Sequence, residues 1–130
     1  MPSQPPSEAL TIGRQLVELC NCGENLKVID TLYNPDILSI EEWSTPDMPA
    51  RQQGLAAIRK KNQWWFENHT THSAQYQGPY PHGDRFIVLM KHDVTAKIGP
   101  MAGKRMTFEE AGLYTVKNGK IVQEEFFYAM

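Results

Sequence analysis

An acid and a histidine are the side chains of this sequence best suited to proton transfer. Glu41 ends a short apolar segment, and alternation along that segment predicts that it shares a face with Trp43. A carboxylate out of water and beside an aromatic wall binds a proton more tightly, so it can act as a general base near neutral pH. The other interpretation of Glu41 is a solvated acid at the end of a strand, beside Glu42. The sequence leaves both open.

The second candidate for acid–base chemistry is His72. It recurs with Ala74 and Tyr76 at a period of two, which is typical of a strand with one inner face. An inward imidazole could be a base or a hydrogen-bond donor to a ligand, whereas a core histidine with satisfied hydrogen bonds fits the same pattern. No HxH or HExxH spacing occurs, so we predict neither a metal nor a cofactor.

A turn signal, Asn118-Gly119, lies between two strand-like runs near the end of the chain. Asn-Gly favours a two-residue hairpin turn, because both central residues need positive φ. Continued without interruption, the turn pairs Val116 with Ile121 and fixes the register of both strands.

Two acidic pairs lie on this hairpin, Glu109-Glu110 on one strand and Glu124-Glu125 on the other. In the uninterrupted register Glu109 faces Tyr128, and both share a face with Glu124. We expect this set to line a pocket and to contact a ligand, with Glu110 and Glu125 on the opposite face. A shift of one residue would reverse the assignment. The alternative is that these acids only make the sheet surface soluble.

Four further side chains are candidates for the wall of a pocket: Trp43, Trp65, Tyr76 and Met90. Aromatic rings and a thioether suit a small apolar or aromatic ligand. The same side chains serve equally well in an ordinary core.

Three helices are expected to support these residues. A first helix, capped by Ser7, and a second helix that stops before Asn34 are followed by a strand over residues 36–43. A loop is predicted over 44–53, which contains two prolines, and a third helix over 54–68.

The rest of the chain is predicted to be strands, because from Thr70 onward the hydrophobic period is two. Turn residues occupy 79–84, and strands are predicted over 85–98 and 105–117. Residues 86–90 are apolar on both faces, so both faces of the sheet should be covered. Helices are expected on one face and a second copy of the chain on the other.

The order of these elements and three local motifs are similar to one superfamily. The motifs are LYNPDILSIE over residues 32–41, GLAAI over 54–58 and GKIV over 119–122. The chain resembles the nuclear transport factor 2-like superfamily, and within it the SnoaL-like polyketide-cyclase and ketosteroid-isomerase-like proteins. The resemblance implies an α+β fold, with three N-terminal helices packed in a strongly curved, mainly antiparallel sheet. This sheet forms a cone with an apolar pocket, and its outer face commonly makes a homodimer.

The resemblance also assigns expectations to single residues. In the ketosteroid-isomerase-like branch an Asp on the first strand moves a proton beside a carbonyl, and the matching residue is Glu41. The two oxyanion donors of that branch match Leu16 and the Ala111-Gly112 region, which carry no donor side chain. Steroid isomerisation is therefore not expected, and function must be argued from the site.

Composition excludes several classes of protein. The 130 residues fit one domain, predicted over 7–130 after a disordered lead over 1–6. Thirteen Lys and Arg against fifteen Asp and Glu give a net charge of −2, which argues against nucleic acid and membrane as partners. No signal-peptide pattern is recognisable, so we expect a cytoplasmic protein.

Three functions fit these observations. The first is a cofactor-free isomerase, cyclase or lyase that acts on a small molecule by proton transfer. The second is a non-catalytic binder of a small apolar or aromatic ligand, which the missing oxyanion donors favour. The third is a scaffold whose dimerisation is its function.

Overall fold

A computed structural model describes residues 7–46 and 48–129, and the lead predicted over 1–6 lies outside them. The described chain forms three helices and six strands. These are α1 Glu8–Asn21, α2 Asn25–Leu32, β1 Tyr33–Ile40, β2 Arg51–Gln53, α3 Leu55–Asn68, β3 His69–His82, β4 Arg85–Ala96, β5 Arg105–Lys117 and β6 Lys120–Ala129.

The strands form one open, curved sheet in the order β2-β1-β6-β5-β4-β3. β1 and β6 run parallel, and every other neighbouring pair is antiparallel. The helices pack against one face of this sheet, with α1 on β3 and β4 and α3 on β1 and β2. The predicted α+β cone with a mainly antiparallel sheet is confirmed.

The core lies between the helices and the inner face of the sheet. Its fully buried side chains come from both layers and include Leu16, Ile37, Ile58, Phe86 and Ile121. Burying one side chain of this size stabilises the fold by about 1.5–3 kcal/mol. The helices are therefore held to the sheet by their apolar stripes, as the periodicity of the sequence predicts.

Helix α1 begins as its sequence predicts. The Ser7 side chain accepts a hydrogen bond from the Leu10 backbone N–H at 3.1 Å, and Glu8 lies in the first turn. The chain leaves the helix at Gly23, whose φ of 76° favours glycine.

Two predicted loop segments contain strand. Residues 51–53 form β2, because they pair with residues 38–40 of β1. Residues 79–82 extend β3, and the chain turns only at Gly83-Asp84. The pairing of β3 with β4 is irregular between Gln77 and Tyr80. Pro79 therefore lies outside the regular ladder and does not end the strand.

The β5–β6 hairpin carries a β-bulge that the sequence analysis did not predict. Val116 faces Ile121 as expected, but Thr115 faces Gln123, so Val122 is an extra residue on β6. In an unbroken strand Ile121 and residue 124 would point to opposite faces. The bulge allows both to be buried, and it shifts the rest of the hairpin by one residue.

Gly13 on α1 allows the helix to approach the sheet closely. A Cβ atom at this position would lie 2.7 Å from Pro79 Cβ and 3.1 Å from Phe86 Cδ2. Both neighbours are rigid rings, and Phe86 is buried.

We therefore expect Gly13→Ala to lower the free energy of unfolding by about 1–3 kcal/mol, the usual cost of overpacking. The gain in helix propensity, about 1 kcal/mol, would act in the opposite direction. Urea denaturation of both proteins tests this, with the exposed neighbour Arg14→Ala as the control. A Gly13→Ala variant as stable as the wild type would contradict the close packing.

Candidate functional site

A cavity of about 670 Å³ opens between the helices and the inner face of the sheet. Helix α1 contributes Leu16 and Cys20 to its wall, and α3 contributes Trp65. Aromatic rings make up much of the rest. Such a cavity is large enough for a small organic ligand and would bind it mainly through apolar contacts.

Glu41 lies at this cavity, just beyond the end of β1, in a tight cluster of polar groups. Its Oε1 is 2.5 Å from Lys61 Nζ on α3, and its Oε2 accepts a hydrogen bond from the Tyr128 hydroxyl on β6 at 2.5 Å. The Glu41 side chain is 19% exposed and that of Lys61 is 18% exposed. Both oxygens of the carboxylate are therefore engaged by donors within a largely dry site.

A second pair stands beside the first. His92 Nε2 on β4 lies 2.9 Å from Glu110 Oε1 on β5, and both side chains are nearly buried. The His92 ring stacks on Phe108, with 4.9 Å between the ring centroids. A carboxylate in this position fixes the orientation of an imidazole.

Tyr128 lies between the two pairs. It faces Glu110 directly across the β5–β6 ladder, and its hydroxyl is bonded to Glu41. Burial, the charge of Glu110 and the hydrogen bond to Glu41 raise the pKa of the Tyr128 hydroxyl well above its ordinary value. The hydroxyl therefore keeps its proton and serves as a donor.

Glu124 is the most deeply buried acid of the site. Its carboxyl accepts a hydrogen bond from the Tyr33 hydroxyl and contacts Ser39, to whose Oγ Lys61 Nζ donates at 3.0 Å. Burial raises the pKa of Glu124, and the Lys61 charge opposes this effect. Lys61 therefore lies close to two carboxyl groups but pairs directly with Glu41.

Other groups on the wall are held in their neutral forms. Burial raises the pKa of Tyr76 to about 12, and its hydroxyl accepts a hydrogen bond from Asn25 Nδ2 at 3.1 Å. Burial also raises the pKa of the Cys20 thiol to about 12, which argues against a thiolate nucleophile.

The structure brings most of the predicted site residues together. The cavity is lined by Glu41, Trp43, Trp65, Tyr76, Met90, Glu124 and Tyr128. Trp43 packs against Tyr128, with 5.2 Å between the ring centroids.

His72 and Glu109 do not lie at the cavity, and their predicted positions are wrong. A register shift in β3 falls at His72, whose exposed ring bonds Thr95 Oγ1 at 2.7 Å. Glu110, Tyr114 and Val116 point inward along an unbroken β5. Glu109 therefore lies on the outer face, where its carboxylate is 3.6 Å from Lys91 Nζ. The bulge in β3 interrupts the alternation from which the face of His72 was inferred. The bulge on β6 instead breaks the expected pairing of Glu109 with Tyr128, from which the face of Glu109 was inferred.

The sequence analysis missed Lys61, His92 and Glu110. Lys61 follows Ile58 by three positions and precedes Trp65 by four, so the apolar stripe of α3 could have indicated it. His92 continues the inward alternation of Phe86, Val88 and Met90. Glu110 alternates with Tyr114 and Val116 along β5, so the apolar face of that strand could have indicated it.

The family follows from comparison with known proteins. A model of the SnoaL-like domain matches residues 9–128. The chain belongs to the SnoaL-like family. A solved structure described as a SnoaL-like polyketide cyclase, from Mesorhizobium loti, is 42% identical. The match covers 91% of this chain and 97% of that one, with a TM-score of 0.83.

More distant structures share the fold of this SnoaL-like protein. An NTF2-like protein from Burkholderia thailandensis has a TM-score of 0.79 at 18% identity, covering 95% of this chain and 92% of that one. An LEH-like epoxide hydrolase from M. tuberculosis has a TM-score of 0.66 at 13% identity, covering 94% and 83%. No curated protein matches the chain.

No helix in residues 7–46 and 48–129 is long and apolar enough to cross a membrane. Within the same part of the chain, no group of three or more His, Cys, Asp or Glu side chains is arranged to hold a metal ion.

The burial of Glu124 makes the stability of the protein depend on pH. The pKa of this carboxyl is higher in the folded chain than in the unfolded one, so the folded state binds more protons between the two values. This contribution to the free energy of unfolding therefore falls as pH rises from the unfolded value of about 4.3 through the folded one.

We expect Glu124→Gln to remove that contribution, because an amide does not titrate. The loss of stability between about pH 5 and about pH 8 should be smaller in Glu124→Gln than in the wild type, as measured by urea denaturation. Glu125→Gln, whose side chain lies on the opposite face of β6, is the control. Equal pH slopes for the wild type and Glu124→Gln would show that the buried carboxyl is not the cause.

Proposed function

We propose that this SnoaL-like protein is a cofactor-independent enzyme that moves a proton on a small apolar or aromatic molecule. Isomerisation, cyclisation and elimination are reactions of this kind. One observation carries the proposal: ionisable side chains form a connected series along an otherwise largely aromatic cavity wall. Glu41 and His92 lie near the two ends of that series.

In this mechanism Glu41 is the general base. A C–H bond beside a substrate carbonyl breaks, its proton goes to Glu41, and its electron pair moves toward the carbonyl oxygen as an enolate. The oxygen then needs donors, and the wall offers Lys61, Tyr128 and His92. A preorganised cation and hydroxyl can supply the stabilisation for which Leu16 offers no donor.

The second candidate function is ligand binding without catalysis. Both oxygens of Glu41 are engaged, by Lys61 and by Tyr128, so a substrate must displace one of these contacts before the base can react. A binding protein has no such requirement. This observation is the specific support for the alternative.

Exchange of α-protons distinguishes the two functions without a known substrate. β-Tetralone and indanone are aromatic ketones small enough for the cavity, and loss of their α-proton NMR signals in D₂O reports enolisation. We expect the protein to accelerate exchange, and Glu41→Gln to lower that rate by about 10²-fold or more, since the amide keeps the shape and removes the basicity.

Glu42→Gln is the matched control. Glu42 is exposed, lies outside the cavity wall and accepts only the Tyr128 backbone N–H at 3.1 Å, which an amide oxygen can also do. Saturable quenching of tryptophan fluorescence by these ketones without any exchange would favour the binding function. An equal exchange rate in Glu41→Gln would remove Glu41 from the catalytic role.

We also propose that a second copy of the chain covers the outer face of the sheet. Leu89 on β4 is 43% exposed. It pairs with Ala111, which pairs with Phe127, so an apolar row crosses three strands. The pair formed by Lys91 and Glu109 lies beside this row and offers both charges to a symmetric partner.

Sedimentation tests the dimer. The wild type should have about twice the chain mass of 14.8 kDa at micromolar concentration, and Leu89→Lys should reduce it to the single-chain mass. Leu26→Lys is the control, because Leu26 is an exposed apolar residue on α2, away from this face. A wild type that sediments as a monomer would contradict the dimer.

A further inference from the structure

We propose that the Tyr128 hydroxyl joins the Glu41–Lys61 pair and the Glu110–His92 pair into one proton-sharing unit. A proton taken up at Glu41 is then passed through Tyr128 to Glu110, which the Nε2–H of His92 holds in place. This inference rests on the proposed function, and it adds the class of reaction: the proton leaves one atom of the substrate and returns to another.

The topology of the sheet supports the unit. The strands β1, β6, β5 and β4 are consecutive neighbours. Glu41 directly follows β1, and the next three strands carry Tyr128, Glu110 and His92 in that order. Tyr128 and Glu110 are direct cross-strand partners, and the outer contacts are hydrogen bonds of 2.5 Å and 2.9 Å. The four groups therefore form a row across the inner face.

The Tyr128 hydroxyl can act as a relay between the two pairs because it carries a single proton. A tyrosine has one O–H, so Tyr128 can donate to Glu41 or to Glu110 but not to both. While Glu41 is ionised, the hydroxyl donates to it. Once Glu41 is protonated it becomes a donor itself, and the hydroxyl is free to donate to Glu110.

The relay balances in protons and charge. The substrate C–H bond breaks, its electron pair enters the carbonyl group, and its proton binds Glu41. Glu41 then donates a proton to the Tyr128 oxygen as Tyr128 gives its own to Glu110. Glu110, whose Oε1 accepts the Nε2–H of His92, returns this proton to a second substrate atom and is again a carboxylate. No oxidant or reductant is required.

The site holds other titratable groups whose charges the test must separate from the relay. Those that line the same cavity are Cys20, Tyr33, His69, Tyr76, Tyr114 and Glu124. None of them lies between Glu41 and Glu110 in the row. A Coulomb effect through space reaches His92 with or without the Tyr128 hydroxyl, whereas the relay needs that hydroxyl.

An NMR titration measures this difference without any substrate. The pH midpoint of the His92 ring signal is followed in isotope-labelled protein, with the signal assigned by its loss in His92→Gln. In Glu41→Gln the amide N–H mimics the protonated acid, so the Tyr128 hydroxyl turns toward Glu110. The new hydrogen bond makes Glu110 a weaker acceptor for the protonated His92 ring. We expect the midpoint to fall by about one pH unit. In a Tyr128→Phe background, Glu41→Gln should move it by less than half as much.

Tyr76→Phe is the matched control, since Tyr76 meets the His92 ring edge-on at 6.0 Å and its hydroxyl bonds Asn25. In the Tyr76→Phe background, Glu41→Gln should still lower the pH midpoint of the His92 signal. An equal fall with and without the Tyr128 hydroxyl, or no fall in either, would overturn the relay. If Tyr128→Phe does not fold, Glu110→Gln tests the same link and should abolish the coupling. Coupling without α-proton exchange would retain the relay and reject the proposed function.

Discussion

The structure of the site depends on one constraint, the burial of both Ile121 and Glu124 on a strand where regular alternation would separate them. The bulge at Val122 meets that constraint and resets the β5–β6 register. As a consequence Tyr128 faces Glu110 rather than Glu109, and it lies on the same inner face as Glu124. An inserted residue that leaves the core intact thus brings Glu124 and Tyr128 to the cavity.

Electrostatics then determines how three acids share a dry space. An unpaired buried charge is costly, so each carboxyl needs a partner or a proton. Glu41 pairs with Lys61, Glu110 with His92, and Glu124 accepts the Tyr33 hydroxyl while its burial favours the protonated form. The site thereby concentrates acid–base groups while giving each carboxyl a hydrogen-bonding or ionic partner.

Much of the fold could be predicted from the sequence, because hydrophobic period and turn chemistry are local signals. The cap at Ser7 and the turn at Asn118-Gly119 lie where they were predicted. The error at His72 arises at a bulge, and the error at Glu109 arises because a bulge on the neighbouring strand changes the expected pairing. Such bulges depend on what the rest of the fold must bury and leave no local signal. Contacts between distant elements, such as that of Glu41 with Lys61, could not be predicted either, because the pattern of a single segment does not indicate them.

The parallel pairing of β1 with β6 has a consequence for how the site is assembled. Tyr33 on β1 lies opposite Ile121, so the centre of the sheet joins segments far apart in sequence. Closing so long a loop is entropically costly and slows folding. During synthesis β5 has no neighbour on one side, and Glu41 has no Tyr128, until β6 leaves the ribosome. Strand β6 therefore completes both the sheet and the cavity, and no nascent chain that lacks it can assemble this site.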